Sequence, residues 1–271
     1  MESHNYNLID KVITINDYKF NRNPPQQYGL QDRVVCYFDG YNRKVIPLYI
    51  ALSFPIIYDN YMGSHEQIKD ITITVCPFTL STAVFEGKFE ATQYVQNSCL
   101  IITDNLNHTF PIIDSFVYSH ENKAIKKFQV DIKILRNVFT EYPDCKYMVL
   151  SDNIPVKSIL NLKYYENENI LFKYVEPSDE FHPKTLVYLI QYISSKDQSI
   201  KSTILVGYDA NSRTITGYNV VESGVYKYLM NYDDKIKQKL GFVIPTMWFT
   251  WKSFYPNAKI IYIPTPQNRL R

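Results

Sequence analysis

The chain has 271 residues, of which 45% are apolar and 21% charged, and its net charge is +2. That length buries a sizeable core, as one large domain or two lobes, and the composition excludes a disordered or collagen-like chain. The balanced charge gives none of the strong basic field of a nucleic-acid binder, and no apolar run approaches the ~18 residues of a membrane span.

Aromatic residues reach 15%, with 24 Tyr and 15 Phe against only 8 Gly, which favours strands. Ile, Asn, Lys and Tyr are abundant, the bias of an AT-rich genome, viral ones included. The start, Met1 to Asn7, has no basic region followed by an apolar one, so no secretory signal is expected. A soluble, cytoplasmic (or, in a virus, virion-borne) protein follows as the expectation.

In chain order, residues 1–33 form a mixed lead-in with a strand-like Lys11-Val12-Ile13-Thr14-Ile15 and a Pro24-Pro25 break. Val34 to Phe38 predicts a strand, Asp39-Gly40 a hairpin turn, and Lys44 to Leu48 the return. Asp59-Asn60 reads as a turn and Gly63 to Asp70 as a polar loop. Ile71 to Phe85 then reads as two strands joined by a Cys76-Pro77-Phe78-Thr79 corner and closed by Glu86-Gly87-Lys88. Ile71, Ile73 and Val75 share one face, Thr72 and Thr74 the other, and Pro77 removes a ladder donor, so the strand ends or swerves there. Further hairpins are predicted over 98–116, 161–175 and 203–221, while 185–195 is apolar on both the strand and the helix period.

Two helices stand out. Residues 131–142 carry Ile134, Leu135, Val138 and Tyr142 at helical spacing, with Asp131 as N-cap. Residues 246–255 carry Met247, Trp248, Trp251 and Tyr255 at the same offsets, with Pro245 suited to the first turn. Both continue as Tyr-Pro, Asp or Asn, a small residue, Lys and an apolar strand: Tyr142 to Val149 and Tyr255 to Tyr262, 113 residues apart. This predicts an internal duplication. The expected fold is α+β, mainly β, with two divergent repeats, each a small antiparallel β-unit closed by a helix and a further strand. The lobes would span 34–151 and 156–263, followed by a mobile tail, 264–271.

The ordered set Ile46-Pro47-Leu48, Ile56-Ile57-Tyr58-Asp59, Thr74 to Thr79, Asn97 to Asp104 and Met247 to Asn257 resembles an uncharacterised family. It is a bacterial and archaeal domain of unknown function, some members of which are described as "(seleno)protein". Its members show a Cys-Pro-Leu-Thr or Cys-Pro-Leu-Cys corner, then a Gly-x-Leu-x-x-Ser-Asn-Leu stretch, and late in the chain a Phe-Trp-Phe-Ala-Trp-like helix. The resemblance implies chemistry at Cys76, because family members place selenocysteine in that corner. The chain departs from the pattern at Phe54-Pro55, where the family carries His-Glu, and at Thr79, where some members carry a second Cys.

The residues themselves offer thiol chemistry at Cys76 with Thr79, in a C-x-x-T arrangement that stabilises a thiolate through backbone N–H groups. Thr72, Thr74 and Asp59 are the candidate binding residues beside it. Redox cysteines usually open a helix, whereas Ser81 to Phe85 reads as strand, so a thiol near its ordinary pKa is expected. Cys36, Cys99 and Cys145 read as buried reduced thiols, the four cysteines showing no C-x-x-C and no close pairing. The cysteines and histidines lack metal-ligand spacing, and no G-x-S-x-G, H-E-x-x-H or Walker A sequence is present. The Lys235-Ile236-Lys237-Gln238-Lys239 tract reads as a solvated helix face, and Trp248 and Trp251 as core. The expectation is a non-catalytic binding or assembly module without cofactor or membrane, its partner a protein or a second copy and nucleic acid disfavoured. Thiol redox chemistry at Cys76 is the alternative.

Overall fold

The computed structural model describes residues 1–3, 6–63, 66–115, 127–172, 181–193, 200–207 and 240–263. The turn at Ala210 to Arg213, the lysine tract 235–239, His65, His120 and the tail after residue 263 lie outside them, as do the far ends of the 98–116 and 161–175 segments.

The fold is mainly β. The strands run β1 (Glu2–Ser3), β2 (Val12–Ile13), β3 (Tyr18–Asn21), β4 (Arg33–Phe38) and β5 (Arg43–Pro47), followed by a short helix α1 (Leu48–Ser53). Next come β6 (Ile56–Met62), β7 (Ile68–Val75), β8 (Thr82–Glu86), β9 (Phe89–Gln96), β10 (Cys99–Asp104) and β11 (Thr109–Pro111). The chain continues with β12 (Val130–Ile134), α2 (Leu135–Glu141), β13 (Lys146–Leu150), β14 (Leu186–Ile193) and β15 (Ile200–Gly207), and closes with β16 (Leu240–Met247), α3 (Trp248–Phe254) and β17 (Lys259–Ile263).

Among the described residues the strands form four sheets, with orders β1-β9-β10-β11, β2-β6-β7-β8, β12-β4-β5-β13-β3 and β16-β14-β15-β17. They are mixed rather than purely antiparallel. β13 runs parallel to β5, β17 parallel to β15 and β2 parallel to β6. A helix between two strands returns the chain in the same direction, which makes the parallel pairing possible.

The stretch 71–85 is the middle of the core. β7 lies between β6 and β8, with Ile73 opposite Ile57 on one side and Val84 on the other. Residues Ile71 to Val75 are buried on both faces, threonines included. Residues before and after 151–155 share one apolar cluster, in which Val75, Cys76 and Leu100 pack with Tyr188, Trp248 and Trp251. The two indoles stack at 5.0 Å and both are fully buried, as their spacing on one helix face predicts.

Several local expectations are corrected. Asp59-Asn60 is no turn; both residues pair with β7 inside β6, because Asp59 is held by partners from β4 and β5. Asp131 does not cap a helix: it pairs with Cys36 in β12, and α2 begins after Ile134 without a side-chain cap. Pro245 lies in β16 opposite Tyr188 rather than in the first turn of α3. The described part of the 161–175 segment is a 3-10 helix, Leu162–Glu166, rather than a hairpin. The Asn161 side chain accepts from Lys163 N at 2.9 Å, and Tyr164 and Tyr165 pin the segment onto the Cys76 corner. Residues 186–193 resolve as strand, because two neighbours supply a ladder on both edges. Strand β9 carries no clear period of its own; it pairs with β10 through a turn in which Asn97 and Ser98 both have positive φ.

Candidate functional site

The Cys76 corner is a closed six-residue loop joining β7 to β8. Cys76 N donates to Ser81 O and Leu80 N to Cys76 O, each at 2.9 Å, and Leu80 takes the left-handed conformation at φ 56°. Pro77 and Phe78 offer carbonyls that accept from Tyr165 at 2.7 Å and Tyr164 at 2.9 Å. A chain of hydroxyls runs Thr246–Ser81–Thr79 at 2.7 and 2.9 Å, and Met247 N donates to Thr79 O. The corner is therefore anchored by residues 86 and more positions away in sequence.

The thiol itself is fully buried. Leu100 N donates to Cys76 Sγ at 3.3 Å, and Ser98 O lies 3.6 Å away, so the sulfur rests against the backbone on both sides of Cys99. Burial pushes the Cys76 thiol up, but hydrogen bonds from Cys99, Thr79 and the N–H groups of Leu100 and Phe78 outweigh it and leave the thiol below its ordinary value. Burial and the bond to Cys76 push the Cys99 thiol well up. Against the expectation of an ordinary value, the shift runs downward, with the Leu100 N–H that donates to the sulfur favouring the thiolate.

Of the other sequence candidates, Thr79 joins Cys76, whereas Thr72, Thr74 and Asp59 do not form one site with it. Thr72 Oγ1 donates to Gly87 O at 2.7 Å and accepts from Phe89 N at 3.1 Å, fastening the β8–β9 turn. Thr74 Oγ1 is buried without a hydrogen-bond partner among the described residues. Asp59 pairs with Ile71, four residues from Val75, which places it about 13 Å along the sheet from the corner at ~3.3 Å per residue.

Asp59 belongs to a separate recess of about 380 Å³, lined among others by Tyr18, Asp39, Tyr41, Lys44 and Met62. Lys44 Nζ donates to Asp59 Oδ2 at 2.5 Å and to the Asn60 carbonyl at 3.1 Å, and it forms an ion pair with Asp39 Oδ2 at 3.1 Å. Tyr37 donates to Asp59 Oδ2 at 2.5 Å, and Asp39 Oδ1 accepts from Tyr41 N and Asn42 N. Burial, then the Asp59 charge, push the Tyr18 and Tyr37 hydroxyls up and keep them neutral donors. At the rim, Ile15, Tyr41 and Met62 are 47%, 65% and 45% exposed. Sequence reading missed Lys44 as the shared partner of Asp59 and Asp39. The available signal was a lysine directly before the apolar run Val45-Ile46 in a strand, where the pleat turns alternate residues inward.

Among the described residues, no three His, Cys, Asp or Glu side chains converge as metal ligands, and no helix is long and apolar enough to cross a membrane. No family model, curated protein or solved structure matches the chain.

Proposed function

We propose that the chain is a non-catalytic assembly module that contacts a second copy of itself through the rim of the Asp59 recess. The observation that carries this reading is the pairing of a rigid, internally satisfied polar floor with three large exposed apolar side chains, Ile15, Tyr41 and Met62. Aromatic residues and Met are the types that dominate the buried centre of protein interfaces. The floor suits contact better than catalysis, since Lys44 is already held by Asp59, Asp39 and the Asn60 carbonyl. Sedimentation velocity across a concentration series tests it. The wild type should self-associate, and Tyr41→Ser with Met62→Ser should sediment as a monomer. A wild type that stays monomeric throughout, or a variant that associates equally, overturns the reading.

Thiol chemistry at Cys76 is the second reading. Its support is the donor set of Cys99, Thr79, Leu100 and Phe78, together with the resemblance of the corner to the uncharacterised family; complete burial stands against it. Alkylation at neutral pH separates the two: Cys76 reacting faster than free cysteine in the folded protein would favour the thiol reading.

We also infer that the two halves descend from one duplicated unit. In both, a hairpin (β4-β5, β14-β15) is flanked by an antiparallel strand (β12, β16), a helix, and a strand parallel to the hairpin's second strand. Lys146 and Lys259 each open that last strand, which supports the matching Tyr-Pro turns.

A further inference from the structure

The Asp59 recess is bounded by two sheets, and the pairing registers say which side chains face it. Tyr37 of β4 lies opposite Lys44 of β5, Lys146 of β13 lies beside Lys44, and Met148 of β13 lies opposite Phe20 of β3. Directly paired residues share a face, and faces alternate along each strand. Tyr37, Lys44, Lys146, Phe20 and Tyr18 therefore stand on one side of this sheet, the side from which Tyr37 and Lys44 reach Asp59.

Charges of both signs are left open there. On the floor, the two carboxylates of Asp39 and Asp59 share the single ammonium of Lys44. Asp59 accepts from Tyr37 and from Lys44 at the same oxygen, Oδ2; Oδ1, which no bond reaches among the described residues, is not sealed from solvent. The Tyr18 hydroxyl beside it gives its proton to the Tyr58 carbonyl at 2.7 Å. Half-buried Lys146 and exposed Lys19 also line the recess, and neither forms an ion pair among the described residues. Neighbouring strands lie about 4.8 Å apart, so Lys146 starts one strand spacing from Lys44 and has the same reach. The rest of the wall is apolar: Phe20, edge-on to Tyr18 at 5.4 Å, with Ile15, Tyr41 and Met62 at the rim. An excess carboxylate below and free ammonium groups beside it suit a ligand that carries both charges better than an ion of either sign. The volume of about 380 Å³ lies at the small end of ligand sites, which run from ~300 to ~1,000 Å³.

We propose that the recess binds a free α-amino acid with an apolar side chain. Its ammonium donates to Asp59 Oδ1, its carboxylate accepts from Lys146 and Lys19, and its side chain lies against Phe20, Tyr41 and Met62. The buried Lys44 pair stays intact, because the ligand takes the oxygen that Lys44 and Tyr37 leave open. Binding here does not depend on the assembly reading, since it uses the floor and wall of the recess rather than a second copy.

Isothermal titration of the full chain tests this, with leucine, methionine and phenylalanine as probes. The N-acetyl derivative of the tightest of the three, which lacks the ammonium, and its amide, which lacks the carboxylate, are titrated beside it. At least one amino acid should bind saturably, one per chain, and both derivatives should bind about tenfold more weakly or worse. Lys19→Met combined with Lys146→Met should weaken the amino acid by about tenfold or more and leave the amide unchanged, a split that a loss of fold does not produce. No binding by any of the three, equally tight binding of either derivative, or an unchanged affinity in the double variant overturns the proposal. A chain that binds the amino acid yet stays monomeric throughout overturns the assembly reading alone; one that self-associates and binds none overturns this site alone.

Discussion

Lys44→Met tests whether the buried ion cluster is a structural floor. Lys44 sits between two carboxylates whose side chains are only 3% and 5% exposed, and its own is 9% exposed. The methionine fills the same space with no charge. Asp39 keeps its bonds from Tyr41 N and Asn42 N, and Asp59 keeps the Tyr37 hydroxyl, but both negative charges lose their cation. Removing one partner of a buried pair costs about 3–5 kcal/mol, mostly the penalty of the charge left behind. Against a typical total stability of about 5–15 kcal/mol, the variant should fold but unfold at much lower urea. Urea titration followed by the fluorescence of the buried Trp248 and Trp251 reads this directly. Adding Asp59→Asn should recover part of the loss. The control is Lys88→Met, whose pair with Asp70 spans 3.7 Å with side chains 62% and 56% exposed; such pairs contribute about 0–1 kcal/mol. A Lys44→Met loss no larger than that of the control, or a double variant less stable than Lys44→Met alone, would refute the reasoning.

Asp131 supplies a pH dependence. Burial pushes its carboxyl from 3.8 up to about 6, against the opposing pull of Lys133, and Oδ1 has no partner among the described residues. The folded state thus holds its proton more tightly than the unfolded chain, so its contribution is full below about 3.8 and is lost as pH rises through about 6. Asp131→Asn should therefore gain stability relative to the wild type by about 3 kcal/mol on going from pH 3.5 to 7; a pH-independent difference in urea midpoints would contradict this. Tyr165→Phe removes the donor to the Pro77 carbonyl and leaves that carbonyl buried, so it should cost about 1–3 kcal/mol by the same titration. Trp251→Ala opens a cavity beneath Trp248 and should cost about 3–5 kcal/mol, with loss of near-UV dichroism from the stacked indoles.

Local chemistry was legible wherever neighbours in sequence do the work. The hairpin β4–β5 and its Asp39 turn follow from alternation and turn residues, and the Trp248/Trp251 face of α3 follows from helical spacing. The Cys76 corner was legible as a corner, because Pro77 ends the ladder whatever surrounds it. Its environment was not, since the groups that fix it come from Ser98, Leu100, Tyr164, Tyr165 and Thr246. Asp59-Asn60 misled for a related reason. These residue types favour turns only when nothing distant holds them, and Lys44 and Tyr37 hold Asp59 in a strand.

By itself, then, the sequence determined a β-rich chain, its apolar faces, two helices with a shared following turn, and a proline-ended strand carrying Cys76. These depend on side-chain period and on the covalent limits of proline, which act over a few residues. The tertiary structure alone decided which side chains meet. It seals Cys76 from solvent and carries Asp59 to a recess with Lys44 and Asp39. Such contacts are set by how strands order within sheets, and no local pattern encodes that order.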